Sequence, residues 1–189
     1  MITKHLRSIS TAIPGVTQIK RFLFTDTRGS FTRLSDLENL RRLGWQGEVM
    51  QINHSVTKKA GTVRGMHYQN PPYTEYKLVN CIKGSVYDVV VDLREGSSTF
   101  LRSVAVKLSP DNRTALLIPP GCAHGFQSLE DDCELLYAHS MPFIASSDGG
   151  MNPLDPAFGI QWPLPIANMS EKDKNRPMIT DKFTGIPVK

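Results

Sequence analysis

No apolar run in this 189-residue chain approaches the roughly 18 residues of a membrane span, and the N-terminal stretch MITKHLRSIS lacks the apolar core of a secretory signal. The expected setting is therefore the cytoplasm, away from membranes. Cysteine is scarce as well: Cys81, Cys122 and Cys133 are odd in number and show no Cys-x-x-Cys spacing. That argues against a disulfide scaffold and against a thiolate zinc site, and leaves buried free thiols. The net charge of +4 comes without a basic run or the aromatic pattern of an RNA reader, so nucleic acid is not an expected partner. Positive side chains lining a cleft would instead draw in a small anionic substrate. With no internal repeat and no low-complexity linker, residues 1–189 read as one domain whose 40% hydrophobic content can bury a core.

What the chain has in abundance is the period of two. In Lys77–Leu93 apolar and polar positions alternate with glycine interruptions, the pattern of a β-hairpin. Val86, Asp88, Val90 and Asp92 share one face of a strand, and Tyr87, Val89, Val91 and Leu93 share the other. A carboxylate on so apolar a strand needs a buried partner or a wet cavity, because unpaired burial is costly. Further strands are expected from Glu48 onward, in Phe100–Ser109, Ala115–Ile118, His124–Leu129 and Cys133–His139, with turns at Asp111–Asn112 and Pro119–Gly121. In Cys133–His139 the residues Cys133, Leu135, Tyr137 and His139 lie on one side. Gln51, Asn53 and Ser55 form a polar row facing ligand or solvent, while His54 shares the side of Ile52 and Val56 and reads as buried and hydrogen-bonded. Ser35–Leu43 reads as a short helix with Ser35 as N-cap, Glu38 three residues on and Gly44 as its stop. Arg28 falls in a turn at Asp26–Gly29, and beyond Pro142 the chain reads as loop. About ten short strands and little helix make this an all-β sandwich or barrel.

Several strand-borne groups carry chemistry. His67 can take a proton from carbon only if it is pointed by a carboxylate, and by itself it reads as a satisfied core histidine. Lys77 suits a developing enolate or phosphate charge. Asp88 reads as a structural acceptor and Tyr137 as a core aromatic. His124 either anchors the Pro119–Gly121 turn or binds a phosphate or ketone oxygen. Together the set suits proton abstraction beside a carbonyl.

The pieces DTRGSF (26–31), QINHS (51–55), VRGMHYQNPP (63–72), KLVNCIKGSVYDVVVDLREGSSTF (77–100), LLIPPGCAHGF (116–126), ELLY (134–137), LDPAFGIQWP (154–163) and SEKD (170–173) occur in one order. In that order, from about Gly15 to Asp181, the chain resembles the nucleotide-sugar 3,5-epimerases typified by dTDP-4-dehydrorhamnose 3,5-epimerase. The resemblance implies a cupin jelly-roll barrel with short peripheral helices and a C-terminal tail, 164–189, packing back on it. It also implies a homodimer with exchanged N-terminal strands. The implied activity is epimerisation at C3 and/or C5 of a nucleoside-diphosphate 4-keto-6-deoxyhexose, with no cofactor and no metal. His67 matches the family's base, Asp173 its partner, Tyr137 the acid and Lys77 the lysine near the ketone oxygen. Arg28, Gln51, Asn53, Arg64 and His124 resemble its substrate contacts. Strict alternation would send Arg64 away from His67, so a β-bulge near Gly65 is expected.

The fragment PPGCAH (119–124) has the Pro-x-Gly-x-x-His pattern that supplies a metal ligand in other cupins, but His67–Tyr68–Gln69 offers one histidine where the companion motif has His-x-His. Two departures bear on substrate. Arg33 stands where the family has a glutamate, in a region of nucleotide contacts, and Ala138–Phe143 replaces a lysine followed by paired tyrosines. These leave open a mono-epimerase acting at one carbon, or an enzyme for another nucleoside diphosphate. A keto isomerase, a metal-dependent oxygenase and a cupin that binds a nucleotide sugar without turnover are the remaining alternatives.

Overall fold

The computed structural model describes residues 1–188. Its strands are β1 (Leu6–Ser10), β2 (Thr17–Arg21), β3 (Phe24–Asp26), β4 (Gly29–Phe31), β5 (Gln51–Thr57), β6 (Val63–Gln69), β7 (Lys77–Lys83), β8 (Val86–Asp92), β9 (Ser103–Leu108), β10 (Thr114–Ile118), β11 (Cys122–Ser128), β12 (Cys133–His139) and β13 (Asp148–Gly150). Two short helices, α1 (Leu37–Arg42) and α2 (Glu171–Lys174), flank them. A six-stranded sheet in the order β1-β2-β10-β7-β12-β5 faces a five-stranded sheet in the order β13-β6-β11-β8-β9, and β3-β4 stands apart as a hairpin. The all-β jelly-roll expectation holds. Three strands more than the sequence pattern suggested are present, among them β13 in a segment read as loop.

The period of two explains how this sandwich fills. Val79 and Cys81 of β7, Leu116 and Ile118 of β10 and Leu135 of β12 meet Val86 and Val90 of β8 and Phe126 of β11 between the sheets. At one end the same inward rows continue as polar residues. Lys77 precedes Val79 and Cys81 on β7, Tyr137 and His139 follow Leu135 on β12, and His124 precedes Phe126 on β11. The alternation that builds the core thus delivers a polar cavity at its mouth. The outer faces are covered in turn. Leu40 and Trp45 of the α1 region pack on Leu78, Ala115 and Leu117, and Met151, Phe158 and Ile186 pack on Val89, Val91 and Leu93. β8 is buried on both faces, which is why its sequence is so nearly continuous in valine.

The C-terminal segment crosses the five-stranded sheet. Asn168 bridges Thr62, Ile186 bridges Arg94, and the Ala167 N–H donates to the Gly61 carbonyl at 3.0 Å. Cys81, Cys122 and Cys133 are free and buried, as expected, and among the described residues no helix is long and apolar enough to cross a membrane.

Two local expectations are corrected. The N-cap of α1 is Asp36, not Ser35: its backbone is extended and its carboxylate accepts the Asn39 N–H at 2.8 Å, so the helix starts one residue later. An aspartate in this place also brings negative charge to the positive end of the helix. His54 is exposed on β5, with Nε2 2.9 Å from Glu134. β5 is the edge of its sheet, and among the described residues nothing covers the outer face that His54 shares with Ile52 and Val56.

Candidate active site

Between Gly65 and His67 the ladder to β11 slips. His67 pairs with His124 and Arg64 with Phe126, so three steps on β6 oppose two on β11. This is the β-bulge that the sequence required, and it turns both Arg64 and His67 to the cavity. Glycine is obligatory here on two counts. Gly65 has φ of +131°, and a Cβ on it would lie 2.5 Å from the Gly125 Cα and 2.9 Å from the His124 carbonyl.

His67 Nε2 lies 2.6 Å from Asp173 Oδ1. Asp173 comes from α2, where the capping Ser170 Oγ accepts its N–H at 3.0 Å, and its side chain is almost wholly buried. Burial alone would raise the Asp173 carboxyl. The hydrogen bond and charge of His67, with lesser help from Ser170 and the Gly65 N–H, outweigh that and hold it below its ordinary value. With Nε2 taken, the free lone pair of a neutral His67 is on Nδ1.

A cavity of about 670 Å³ opens over this pair and takes in Gln51, Asn53, Arg64 and Lys77. A smaller one, about 240 Å³, shares Asn53, Arg64, His67 and Lys77 and reaches Tyr137 and His124. Tyr137 Oη is 3.2 Å from Ser55 Oγ, and burial drives its phenol well above the ordinary tyrosine range. His124 Nε2 sits 2.9 and 3.0 Å from the two oxygens of the fully buried Asp88. Burial pushes the imidazole down and the carboxyl up, against the attraction of each for the other. Asp88 therefore has the buried partner that its apolar strand demanded, and His124 is held by that carboxylate at the inner end of the cavity.

The structure thus brings together His67, Asp173, Tyr137, Lys77, Gln51, Asn53, Arg64 and His124. It does not bring in Arg28 or Arg33. Arg28 is exposed in the β3-β4 hairpin and pairs with Asp26 at 2.6 Å, while Arg33 lies 3.5 Å from Asp36 beside α1, lining a separate depression. The hairpin takes Arg28 away from the cavity of its own chain, and the contact with Asp36 holds Arg33 away from it.

The cavity wall also holds His139 and Phe143, from the 138–143 segment whose departure bears on substrate, and Glu75, Asp148 and Lys172, which sequence reasoning passed over. Asp148 is bound by Lys172 at 2.8 Å and by Arg176 at 2.6 Å. Of these, His139 was legible, since it shares the inward row with Tyr137, whereas Asp148 and Lys172 lie in loop and tail where no periodicity points. Gln69, in the place of the second motif histidine, is committed elsewhere: Nε2 donates to the Tyr73 and Pro142 carbonyls and Oε1 accepts the Ile144 N–H. Among the described residues no group of three or more His, Cys, Asp or Glu is placed to hold a metal ion.

A jelly-roll barrel holding a carboxylate-backed histidine, a buried phenol and a lysine around one cavity defines an enzyme class that moves protons at carbon beside a carbonyl. The comparisons with known proteins narrow it. Residues 10–181 match the family model for dTDP-4-dehydrorhamnose 3,5-epimerase, and the chain belongs to this family. It is 37% identical over 173 residues to the dTDP-4-dehydrorhamnose 3,5-epimerase of Sinorhizobium fredii, covering 91% of this chain and 89% of the relative. It superposes on the Legionella pneumophila epimerase solved with dTDP-4-keto-L-rhamnose at a TM-score of 0.90 and 32% identity, over 98% of this chain and 100% of that one. A 3'-monoepimerase of Streptomyces bikiniensis, solved with dTDP-quinovose, gives a TM-score of 0.82 and 34% identity over 89% and 85% of the two chains.

Proposed function

We propose that the cavity epimerises a nucleoside-diphosphate 4-keto-6-deoxyhexose, with thymidine diphosphate as the carrier, at C3 and C5. The observation that carries this reading is the 2.6 Å pairing of His67 Nε2 with the buried Asp173, which leaves Nδ1 as the base nitrogen facing the cavity. The C4 ketone acidifies the hydrogens on both neighbouring carbons. Nδ1 removes one of them, negative charge gathers on the C4 oxygen, and Lys77, whose side chain is largely buried, stabilises that charge. Tyr137, whose phenol is held protonated by burial, returns a proton from the opposite wall. Arg64, Gln51, Asn53 and His124 supply polar contacts to substrate oxygens, Lys172 adds positive charge for the diphosphate, and the exposed ring of Phe143 offers a surface for the base.

A second reading is inversion at one carbon only. It is favoured by the wall around His139 and Phe143, which departs from the pattern the family resemblance implies, and by the likeness to the Streptomyces monoepimerase. A cytoplasmic setting fits three buried free thiols. The proposed working unit is a homodimer.

The test is incubation in deuterated water with dTDP-4-keto-6-deoxyglucose, followed by NMR, with His67→Ala as control. Deuterium at C3 and C5, abolished in the control, is the expected result. Label at one carbon makes the enzyme a monoepimerase, and silence at both in the wild type overturns the proposal for this substrate.

A further inference from the structure

Behind Lys77 runs a line of polar contacts, one ion pair followed by hydrogen bonds, that the proton transfers above do not use. Glu75 Oε1 is 3.5 Å from Lys77 Nζ, and Glu75 Oε2 is 2.9 Å from His139 Nδ1. The three side chains are about nine-tenths buried, at 10%, 11% and 10% exposure for Glu75, Lys77 and His139. His139 Nε2 lies 3.3 Å from Asn53 Nδ2, Asn53 Oδ1 accepts from Gln51 Nε2 at 3.0 Å, and Gln51 Oε1 accepts the Phe143 N–H at 2.8 Å.

The two ends of this line determine its polarity. A backbone N–H can only donate, so the Phe143 amide requires the oxygen of Gln51, which turns the Gln51 nitrogen to the oxygen of Asn53 and the Asn53 nitrogen to His139 Nε2. That ring nitrogen must then be the acceptor, and His139 carries its proton on Nδ1, donated to Glu75. From the other end an ammonium also can only donate, so Glu75 accepts from both sides as a carboxylate. Consistent with this, its carboxyl lies below the ordinary range: burial works against the charge, and His139 and Lys77 outweigh it. Every donor meets an acceptor: the line runs in one direction from the 143 loop to Glu75, and the Lys77 ammonium meets the same carboxylate from the other side.

We propose that Glu75 and His139 are positioning residues: a relay that converges on the Glu75 carboxylate, in which Glu75 aims the Lys77 ammonium at the substrate oxygen and His139 fixes which faces of Asn53 and Gln51 meet the substrate. The assignment rests on the epimerase reading above. Two halves with separable effects follow. The Glu75–Lys77 half acts where charge develops and governs kcat. The His139–Asn53–Gln51 half acts on polar contacts present from binding onward and governs KM. A cavity wall that merely filled space would show no such division.

The experiment measures kcat and KM by substrate deuteration for wild type, Glu75→Gln and His139→Asn, with thermal unfolding of each to establish that it folds. In Glu75→Gln the amide meets either Lys77 or His139 donor to donor, and kcat is expected to fall about 10- to 100-fold with KM within about twofold. In His139→Asn a short amide can still donate to Glu75 but cannot reach Asn53, and KM is expected to rise about 5- to 20-fold with kcat within about threefold. Equal effects of both variants on both constants, or wild-type kinetics in Glu75→Gln, would overturn the relay. Its chemical signature is read independently by the ring-nitrogen NMR of His139 in the unliganded wild type. A proton on Nδ1 supports the relay and a proton on Nε2 alone overturns it. That spectrum decides the relay even if the wild type leaves the tested sugar unlabelled, a result that would defeat only the epimerase reading.

Discussion

His67 commits one ring nitrogen to Asp173 and keeps the other for the cavity, so the carboxylate decides both the tautomer and the direction of the base. Replacing Asp173 by asparagine keeps the shape but removes the charge that stabilises an imidazolium. It also lets the amide present a donor to Nε2 and so select the wrong tautomer. The Asp173→Asn enzyme is expected to lose about 10²- to 10⁴-fold in kcat with its fold intact, as judged by steady-state assay and circular dichroism. The pH dependence of stability has a definite sign. The folded-state pKa of Asp173 is depressed, so its contribution is present above the ordinary carboxylate value of about 4 and is lost as pH falls through the lower folded value. Urea unfolding should therefore show wild type more stable than Asp173→Asn at pH 7, with the gap closing on acidification below that range. A gap that widened in acid would defeat the assignment of a stabilising Asp173 charge.

At the level of the strand, the site depends on the crossing of two glycines. The bulge in β6 allows Arg64 and His67, an odd number of residues apart, to face one cavity, and it exists because Gly65 and Gly125 let the two backbones touch. Gly65→Ala would place a methyl 2.5 Å from the Gly125 Cα at a φ that side chains rarely adopt. Overpacking and strained φ together are expected to cost roughly 3 kcal/mol. Activity per folded molecule should fall as well, because any relief of the clash moves His67 relative to Asp173. Unfolding curves combined with active-site titration of the folded fraction would check this, and a Gly65→Ala protein of wild-type stability and rate would show that the close approach is not required. Elsewhere the same strand logic is structural only. Asp92 is buried and held by Arg94, Ser97 and Thr99, which keep its carboxyl at about 2 despite the opposing effect of burial, and it closes the turn after β8.

For the molecule as a whole, the uncovered surface is informative. Phe24, Phe31 and Ile52 are 45%, 61% and 68% exposed. They lie on the hairpin arm and on β5, an edge strand of the six-stranded sheet. Apolar arms and open edges of this kind invite a second chain. A homodimer would cover them, and it would give Arg28 and Arg33 a cavity to serve across the interface, since neither lines the cavity of its own chain. Analytical ultracentrifugation is expected to give twice the chain mass at micromolar concentration. The double variant Phe31→Glu and Ile52→Glu should shift toward the single-chain mass. A wild-type protein that sediments as a monomer would remove this proposal and with it any part for Arg28.

The sequence by itself determined the strand class, the inward row through Leu135, Tyr137 and His139, the need for a partner to Asp88, and the need for a bulge between Arg64 and His67. The first three follow from the two-residue period and from the cost of unpaired burial, which act within a strand or its immediate neighbour; the bulge follows only when the family resemblance, which places both Arg64 and His67 at the substrate, is set against that period. It was misleading where burial depends on sheet order. His54 sits in a pattern suited to a core but on an edge strand, Arg28 sits in a motif position but on a hairpin that leaves the barrel, and Arg33 lies beside α1, outside the cavity. No periodicity selects Asp173, 106 residues from His67, and in the sequence only the family resemblance pointed to that pair; the tertiary structure alone decided that Glu75 from a loop meets His139 from β12 and that Asp148 and Lys172 reach the cavity wall. Such pairings arise from the docking of loops and tail on the finished barrel, and local periodicity carries no record of where a segment will dock.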